Sequence, residues 1–189
     1  ETTVRTMKLD ANIDFLTKLS NRRRMDDIAR TFDDPATSES ADFTIVIFDI
    51  DRFKHINDKY GHAAGDKVLE EIAARIKNSF RKHDDIFRYG GEEFVALVKN
   101  SQLDDVMRRA ERVRAAVQEQ SIAYGQHEIN VTLSAGVAAN AGASSFKDLL
   151  EAADQALYQA KDAGRNRVKS LVVEAKTGKR NEIRLHTNA

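Results

Sequence analysis

Apolar positions along the chain recur with two different periods, and the switches between them mark out the elements. From Asn12 to Phe32, the residues Ile13, Leu16, Leu19, Met25, Ile28, Ala29 and Phe32 fall at near-helical spacing with a polar break at Ser20-Asn21, which predicts two short helices. The stretch Asp33 to Asp42 holds the only proline and little that is apolar, so it reads as a loop. Thr44 to Phe48 is β-branched and continuously apolar, the pattern of a central strand buried on both faces, and it ends at Asp49. Phe53, Ile56 and Tyr60 make a short helical face closed by Gly61, and Leu69, Ile72, Ala73, Ile76 and Phe80 make a longer one.

Further on, Ile86 to Tyr89 and Glu93 to Val98 flank Gly90-Gly91, which predicts a two-residue hairpin whose type I′ turn takes positive φ at both glycines. Leu103, Val106, Met107, Ala110, Val113 and Val117 predict an amphipathic helix, while Ile129, Val131, Leu133, Ala135 and Val137 alternate as one strand. Ser145 with Asp148 three residues on opens a last helix, with Phe146, Leu149, Ala153, Ala156, Leu157 and Ala160 facing the core until Gly164. Val168 to Val173 reads as an edge strand, residues 174–189 as a polar tail without structure, and residues 1–12 as a lead-in helix remnant or linker (Val4, Met7, Ala11). With the extra helices set aside, the order is strand, helix, strand, strand, helix, strand. That is the split βαβ arrangement of ferredoxin-like and palm folds, an α+β class with a mostly antiparallel sheet and helices on one face.

Composition narrows the chemistry. The 189 residues suit one compact domain, here 13–173, and 30 Lys+Arg against 30 Asp+Glu leave no basic footprint for nucleic acid or an anionic membrane. The absence of cysteine removes disulfides, thiolate metal sites and cysteine nucleophiles. The longest apolar stretch, Phe43 to Phe48, falls far short of the roughly 18 residues that span a bilayer, and no signal-peptide core precedes Asp14.

Asp49-Ile50-Asp51 lies where the buried strand meets a helix start, and Glu92-Glu93 lies just past the glycine turn. Neighbouring central strands would bring Asp49 and Glu92 to one sheet edge, where hard oxygen ligands suit Mg²⁺. The plainer alternative has Asp49 or Asp51 capping the helix and the glutamates solvated. Gly90-Gly91 alone is equally a plain turn, and Lys54, Lys161 and Arg165 are equally solvated charges or phosphate contacts. Asn57 and Asp66, around the Gly61-His62 to Gly65 connection, serve either a base edge or helix ends.

Taken in order, the motifs are more specific. Arg88-Tyr-Gly-Gly-Glu-Glu-Phe94 resembles the signature of GGDEF domains, the diguanylate cyclases, in its GGEEF form. The same resemblance runs from about Asp14 to Arg167. It takes in Asp14-Phe-Leu-Thr17, Asn21-Arg22-Arg23, Phe48-Asp-Ile-Asp-Arg-Phe-Lys54, Ile56-Asn57-Asp58, Tyr60-Gly-His62, Gly65-Asp66, Tyr158-Gln-Ala-Lys161 and Gly164-Arg-Asn166. One departure is Lys18, where the family usually has glycine.

The resemblance implies that two GTP condense to cyclic di-GMP and two pyrophosphates across a homodimer. It implies Asp49, the Ile50 carbonyl and Glu92 as ligands of two Mg²⁺ per site, with Mn²⁺ as an alternative ion. Glu92, Lys54 and Glu93 are the implied catalytic residues, with Glu92 the base toward the attacking 3′-hydroxyl. Asn57 and Asp66 would read guanine, whose N1–H and 2-amino group both donate. His62, Phe53, Gly90, Gly91, Lys161 and Arg165 complete the implied substrate contacts. Arg81-Lys-His-Asp84, ahead of the signature glycines, resembles the family's RxxD inhibitory site for cyclic di-GMP, with Arg112 as a second arginine and with Arg81 and Asp84 both expected on the surface.

Two other readings stand beside this one. A cyclic di-GMP receptor without synthesis would not need Asp49, Lys54, Asn57, Asp66 and Glu92. A ferredoxin-like cyclase or palm enzyme would act on one nucleotide. The expected setting is cytoplasmic, and Glu1 without a Met points to a piece of a longer chain whose full form can be membrane-bound.

Overall fold

The computed structural model describes residues 11–33, 43–141, 145–174 and 183–185. In chain order the elements are β1 (Ser20–Asn21), α1 (Arg22–Phe32), β2 (Phe43–Ile50), α2 (Phe53–Tyr60), α3 (His62–Ser79), β3 (Asp85–Arg88) and β4 (Glu93–Lys99). They continue with α4 (Leu103–Glu119), β5 (Ile122–Tyr124), β6 (His127–Ile129), β7 (Leu133–Ala141), α5 (Phe146–Asp162), β8 (Val168–Glu174) and β9 (Ile183–Leu185).

The continuous apolar run forms β2, which is buried along its whole length. It pairs antiparallel with β4 on one side and β7 on the other. The seven-stranded sheet has the order β1-β3-β4-β2-β7-β8-β9. Its β3-β4-β2-β7 centre, with α2–α3 and α4 as the crossovers, is the ferredoxin-like βαββαβ core of the palm-like class.

Alternate residues of β2 serve two cores. Val46, Phe48 and Ile50 pack among Val68, Ile72, Ile76, Val106 and Val113 from α3 and α4. Ile45 and Ile47 pack on Leu149, Ala153 and Leu157 of α5 and Met25 of α1. Helices therefore cover both faces of the sheet, where the sequence order alone predicted one. The continuous rather than alternating pattern of β2 already required two covered faces.

Several boundaries differ from the sequence reading. Residues 12–19 form no helix: Asp14 turns the chain, its carboxylate accepting from the Thr17 N–H at 2.9 Å and the Thr17 hydroxyl at 2.7 Å, and Ser20–Asn21 then pairs with β3. Local side-chain bonding to the backbone outcompetes the helical spacing there. The Ile129–Val137 alternation is split, because the chain leaves β6 after Ile129 and β7 begins at Leu133. Between them the Thr132 carbonyl accepts from the Asp51 N–H at 2.9 Å.

The two-residue hairpin lies elsewhere, at Gly125-Gln126 between β5 and β6, where Gly125 takes φ 59°. β8 is not an edge, since β9 pairs with it from within the expected tail. The expected lead-in at 1–12 falls outside the described residues except for Ala11 and Asn12. The predicted capping box at the start of α5 is present, with the Ser145 hydroxyl accepting from the Asp148 N–H at 3.1 Å and the Asp148 carboxylate from the Ser145 N–H at 3.2 Å.

One close approach fixes α5 on the sheet. A Cβ on Gly136 of β7 would lie 2.1 Å from the Ala153 carbonyl oxygen and 2.3 Å from the Leu157 nitrogen. Helix and strand backbones therefore meet directly.

Candidate active site

Asp49, next to last in β2, pairs across the ladder with Glu93 and shares its face with the α5 side of the core. Lys161, in the last turn of α5, donates to Asp49 Oδ2 at 2.9 Å. Glu92 is tied to the same strand end, because its carbonyl accepts from the Ile50 N–H at 3.3 Å. The structure thus brings Asp49, Glu92, Glu93 and Lys161 to one place.

Three carboxylates crowd a single ammonium there. Burial raises the Asp49 carboxyl above its ordinary value, with Lys161 opposing. Burial and then the Asp49 charge raise both Glu92 and Glu93. Among the described residues, no three His, Cys, Asp or Glu side chains converge as a metal cluster. Two carboxylates beside a backbone carbonyl, holding excess negative charge, nevertheless fit an ion such as Mg²⁺ that takes its remaining ligands from water and phosphate.

The connection carrying Glu92 is wider than a two-residue turn. β3 ends at Arg88, β4 starts at Glu93, and the N–H groups of Tyr89 and Gly90 both donate to the Glu93 carbonyl, at 2.9 and 3.3 Å. Neither Gly90 nor Gly91 takes the positive φ that a type I′ turn demands. Gly90 instead leaves room for a neighbour, since a Cβ would lie 2.7 Å from Glu93 Oε2. Gly91 has nothing within 4 Å of that position, so it leaves open space.

Asn57 of α2 lies against Gly65 of α3, and Asp66 follows it, exposed. A Cβ on Gly65 would lie 1.9 Å from Asn57 Oδ1 and 3.2 Å from Phe53 Cζ, so glycine is required for the Asn57 carboxamide to lie against α3 at the residue before Asp66. Asp66 lies inside α3 and is not its N-cap, which is Gly61 with φ 86°. His62 opens α3 and is exposed. Phe53 is buried, while Lys54 is exposed with its ammonium on Asp58 at 2.9 Å. Arg165 is exposed on the turn after α5 with φ 64°.

Arg81 is exposed as expected, but Asp84 is not: its side chain is fully covered. Asp84 Oδ2 accepts from the Arg81 N–H at 2.7 Å and from Arg109 Nη1 at 3.0 Å, and Oδ1 is buried without a hydrogen-bond partner. The sequence singled out Arg112, which is exposed on α4; the arginine that reaches Asp84 is Arg109, one turn earlier. A cavity of 480 Å³ beside them is lined by Lys18, Lys77, Arg81, Lys82 and Asp84 among others.

Two residues have roles that the sequence reading did not give them. Asp51 caps no helix: the N-cap of α2 is Arg52, and the buried Asp51 carboxylate accepts from the Thr132 hydroxyl, the Ser134 hydroxyl and the Asn166 N–H at 2.7, 2.7 and 3.1 Å. Arg88 donates to both Asp14 oxygens at 3.3 Å and to the Gly91 carbonyl at 2.9 Å, tying the N-terminal turn to the glutamate loop.

Known proteins resemble this chain in sequence and fold. The family model "Diguanylate cyclase, GGDEF domain" matches residues 11–167. Diguanylate cyclase A of Treponema denticola is 52% identical over 126 residues, covering 66% of this chain and 34% of that protein. Diguanylate cyclase DgcM of Escherichia coli is 42% identical over 158 residues, covering 84% of this chain and 38% of that protein. The chain therefore spans little more than a third of the length of these relatives. The coiled coil and GGDEF domain of DgcB from Caulobacter crescentus, solved in complex with c-di-GMP, superposes with a TM-score of 0.82 at 30% identity, covering 89% of this chain and 90% of that one. By its sequence, its strand order and the carboxylates at the end of its central strand, this chain belongs to the GGDEF domain family of diguanylate cyclases.

Proposed function

We propose that the chain condenses two GTP into cyclic di-GMP and two pyrophosphates, each domain of a homodimer presenting one nucleotide to the other. The observation that carries this reading is the meeting of Asp49, Glu92, Glu93 and Lys161 beside the start of α2. A single domain offers one such place, and a two-fold product needs two of them face to face.

In each half-reaction the 3′-hydroxyl oxygen of one GTP bonds to the α-phosphorus of the other. The bond from that phosphorus to the bridging oxygen breaks, and pyrophosphate leaves. The hydroxyl proton passes to a carboxylate, for which Glu92 is best placed because burial and Asp49 already raise its proton affinity. Bound Mg²⁺ or Mn²⁺ would neutralise charge on the phosphates, with Asp49, Glu92 and the Ile50 carbonyl as its ligands and Glu93 alongside.

Lys54 supplies a mobile cation for the phosphates, and Lys161 and Arg165 hold the terminal ones. Asn57 and Asp66 accept and donate along the guanine edge, with Phe53 beneath and His62 at the rim; Gly91 leaves the loop backbone open there, and Gly90 makes room for the Glu93 carboxylate. Product returns to Arg81, Asp84 and Arg112 and inhibits. The buried Asp84 Oδ1, which accepts no hydrogen bond and has His83 Nε2 at 3.9 Å, supports an acceptor at that place, with Arg109 holding the carboxylate.

Incubation with GTP and Mg²⁺ followed by nucleotide separation tests the proposal. Cyclic di-GMP with pyrophosphate is expected, and specific activity should rise with protein concentration through the monomer–dimer range. Bound nucleotide without turnover would mean a receptor, and cyclic GMP a cyclase of single nucleotides. Glu92→Gln should cut the rate by at least about a hundredfold without unfolding the domain.

A further inference from the structure

The turn that presents Arg165 is built in an unfavourable backbone conformation and held from two sides. Gly164, Arg165 and Asn166 follow one another with φ of 112°, 64° and 46°. Two consecutive non-glycine residues in the left-handed region persist only where the surroundings over-determine them. Those surroundings are specific. The Asn166 N–H donates to Asp51 Oδ2 at 3.1 Å, and the Asn166 carboxamide oxygen accepts from Arg114 Nη1 at 2.9 Å.

Both anchors are themselves fixed. Asp51 is buried and takes the Thr132 and Ser134 hydroxyls. Arg114, on α4, is mostly covered, and its Nε donates to Glu111 at 2.6 Å. Arg165 itself donates its N–H to the Ala160 carbonyl at 3.0 Å, its carbonyl accepts from Arg167 Nε at 2.9 Å, and the turn borders a cavity of 480 Å³ lined also by His55, Gln118 and Asn130. Arg165 stands close enough to Asp49 for its charge to act on that carboxylate.

We propose that Asp51 and Arg114 are positioning residues that clamp Asn166, one by its N–H and the other by its carboxamide, and so hold Arg165 where the terminal phosphates of the nucleotide lie. The inference rests on the reading of Arg165 as a phosphate contact. Arg114 belongs to α4 and touches no substrate, yet it governs how tightly a triphosphate is gripped.

The test is calorimetric titration of the whole chain with a GTP analogue carrying an α,β-methylene bridge and, separately, with GMP. Arg114→Met keeps the stem and removes the donors; it should weaken the triphosphate analogue about tenfold, as expected for the loss of one well-placed charged contact, and leave GMP unchanged. Asn166→Gly adopts the left-handed conformation without strain but has no oxygen for Arg114. It should therefore lose triphosphate affinity while melting no lower than the parent, an outcome that a purely structural role does not give.

In an Arg165→Ala background, Arg114→Met should add nothing further. An equal loss for GMP, an undiminished effect in the Arg165→Ala background, or triphosphate affinity that follows melting temperature in both variants would overturn the clamp. If Arg165→Ala itself left triphosphate affinity intact, the phosphate reading of Arg165 would fall first, and the clamp with it.

Discussion

Lys161 Nζ lies 2.9 Å from Asp49 Oδ2, so the cation assigned to the terminal phosphates and the carboxylate assigned to the metal ion rest against each other. A dication held at Asp49 would compete with that ammonium and leave it available to a phosphate. Charge neutralisation of the strand end and release of Lys161 toward a phosphate would then be one exchange.

That exchange has a pH signature. Asp49, Glu92 and Glu93 are all raised, chiefly by burial. A carboxyl raised on folding stabilises fully below its unfolded value, near pH 4, and loses that contribution as pH climbs through the folded value. The metal-free chain should lose stability from this cluster as pH rises above about 4 toward neutrality. Mg²⁺ requires the deprotonated groups, so the melting-temperature gain from millimolar Mg²⁺ should be larger near pH 8 than near pH 5. Glu92→Gln should shrink the gain and flatten its pH dependence. A gain indifferent to both would remove Glu92 from ion binding.

Gly65 holds the guanine side of the proposal. In Gly65→Ala the new methyl meets Asn57 Oδ1 and must push the carboxamide off its place against α3. Overpacking of this kind costs about 1 to 3 kcal/mol, and the preference for GTP over ATP should fall together with it. Asp66→Ser, which has no such clash, should relax the preference at nearly parental stability. Unchanged GTP-to-ATP ratios in both variants would exclude this corner from base choice.

Asp84 and Arg109 make a covered ion pair, with side chains 0% and 11% exposed. Arg109→Leu strands a buried carboxylate, and urea unfolding should show a loss of about 3 kcal/mol. Arg81→Ala removes only an exposed side chain and keeps the backbone N–H that Asp84 uses. It should unfold within about 0.5 kcal/mol of the parent yet bind cyclic di-GMP more weakly. Equal product affinity in Arg81→Ala and the parent would reduce the RxxD string to a folding motif.

Lys18 takes φ 58° in the turn closed by Asp14, whose carbonyl accepts from the Lys18 N–H at 2.9 Å. A side chain there costs about 1 kcal/mol or more relative to glycine. Lys18→Gly should raise the unfolding free energy by up to about that amount, and a decrease would show that the lysine stem supplies contacts worth more than the strain.

What the sequence disclosed, and what it withheld, follow the range of the interactions. β2, β4 and the helices α3 to α5 were legible because burial repeats within each element. The failures lie where a distant partner decides. Ile129 to Val137 alternates like one strand, but residues 130–132 leave the ladder where Thr132 serves Asp51. Gly90-Gly91 looks like a tight turn, but Glu93 needs the space above Gly90. Asp84 reads as a surface residue because nothing nearby in sequence reveals Arg109. Among the proposed site residues, Asp49 and Glu92 were marked by their place after apolar runs; the Asp51–Asn166–Arg114 chain joins three separate segments and carries no local pattern at all.

The contact at Gly136 gives the site a tolerance rather than a shape. Where most helices ride on a cushion of side chains that can compress or reorient, α5 rests on bare strand, backbone on backbone. Lys161, one turn beyond Leu157, inherits its height above Asp49 from that seating. A single methyl at 136, far from any nucleotide, would work as a shim under the helix and open the gap between ammonium and carboxylate. The dimension that matters to the chemistry is machined into the main chain.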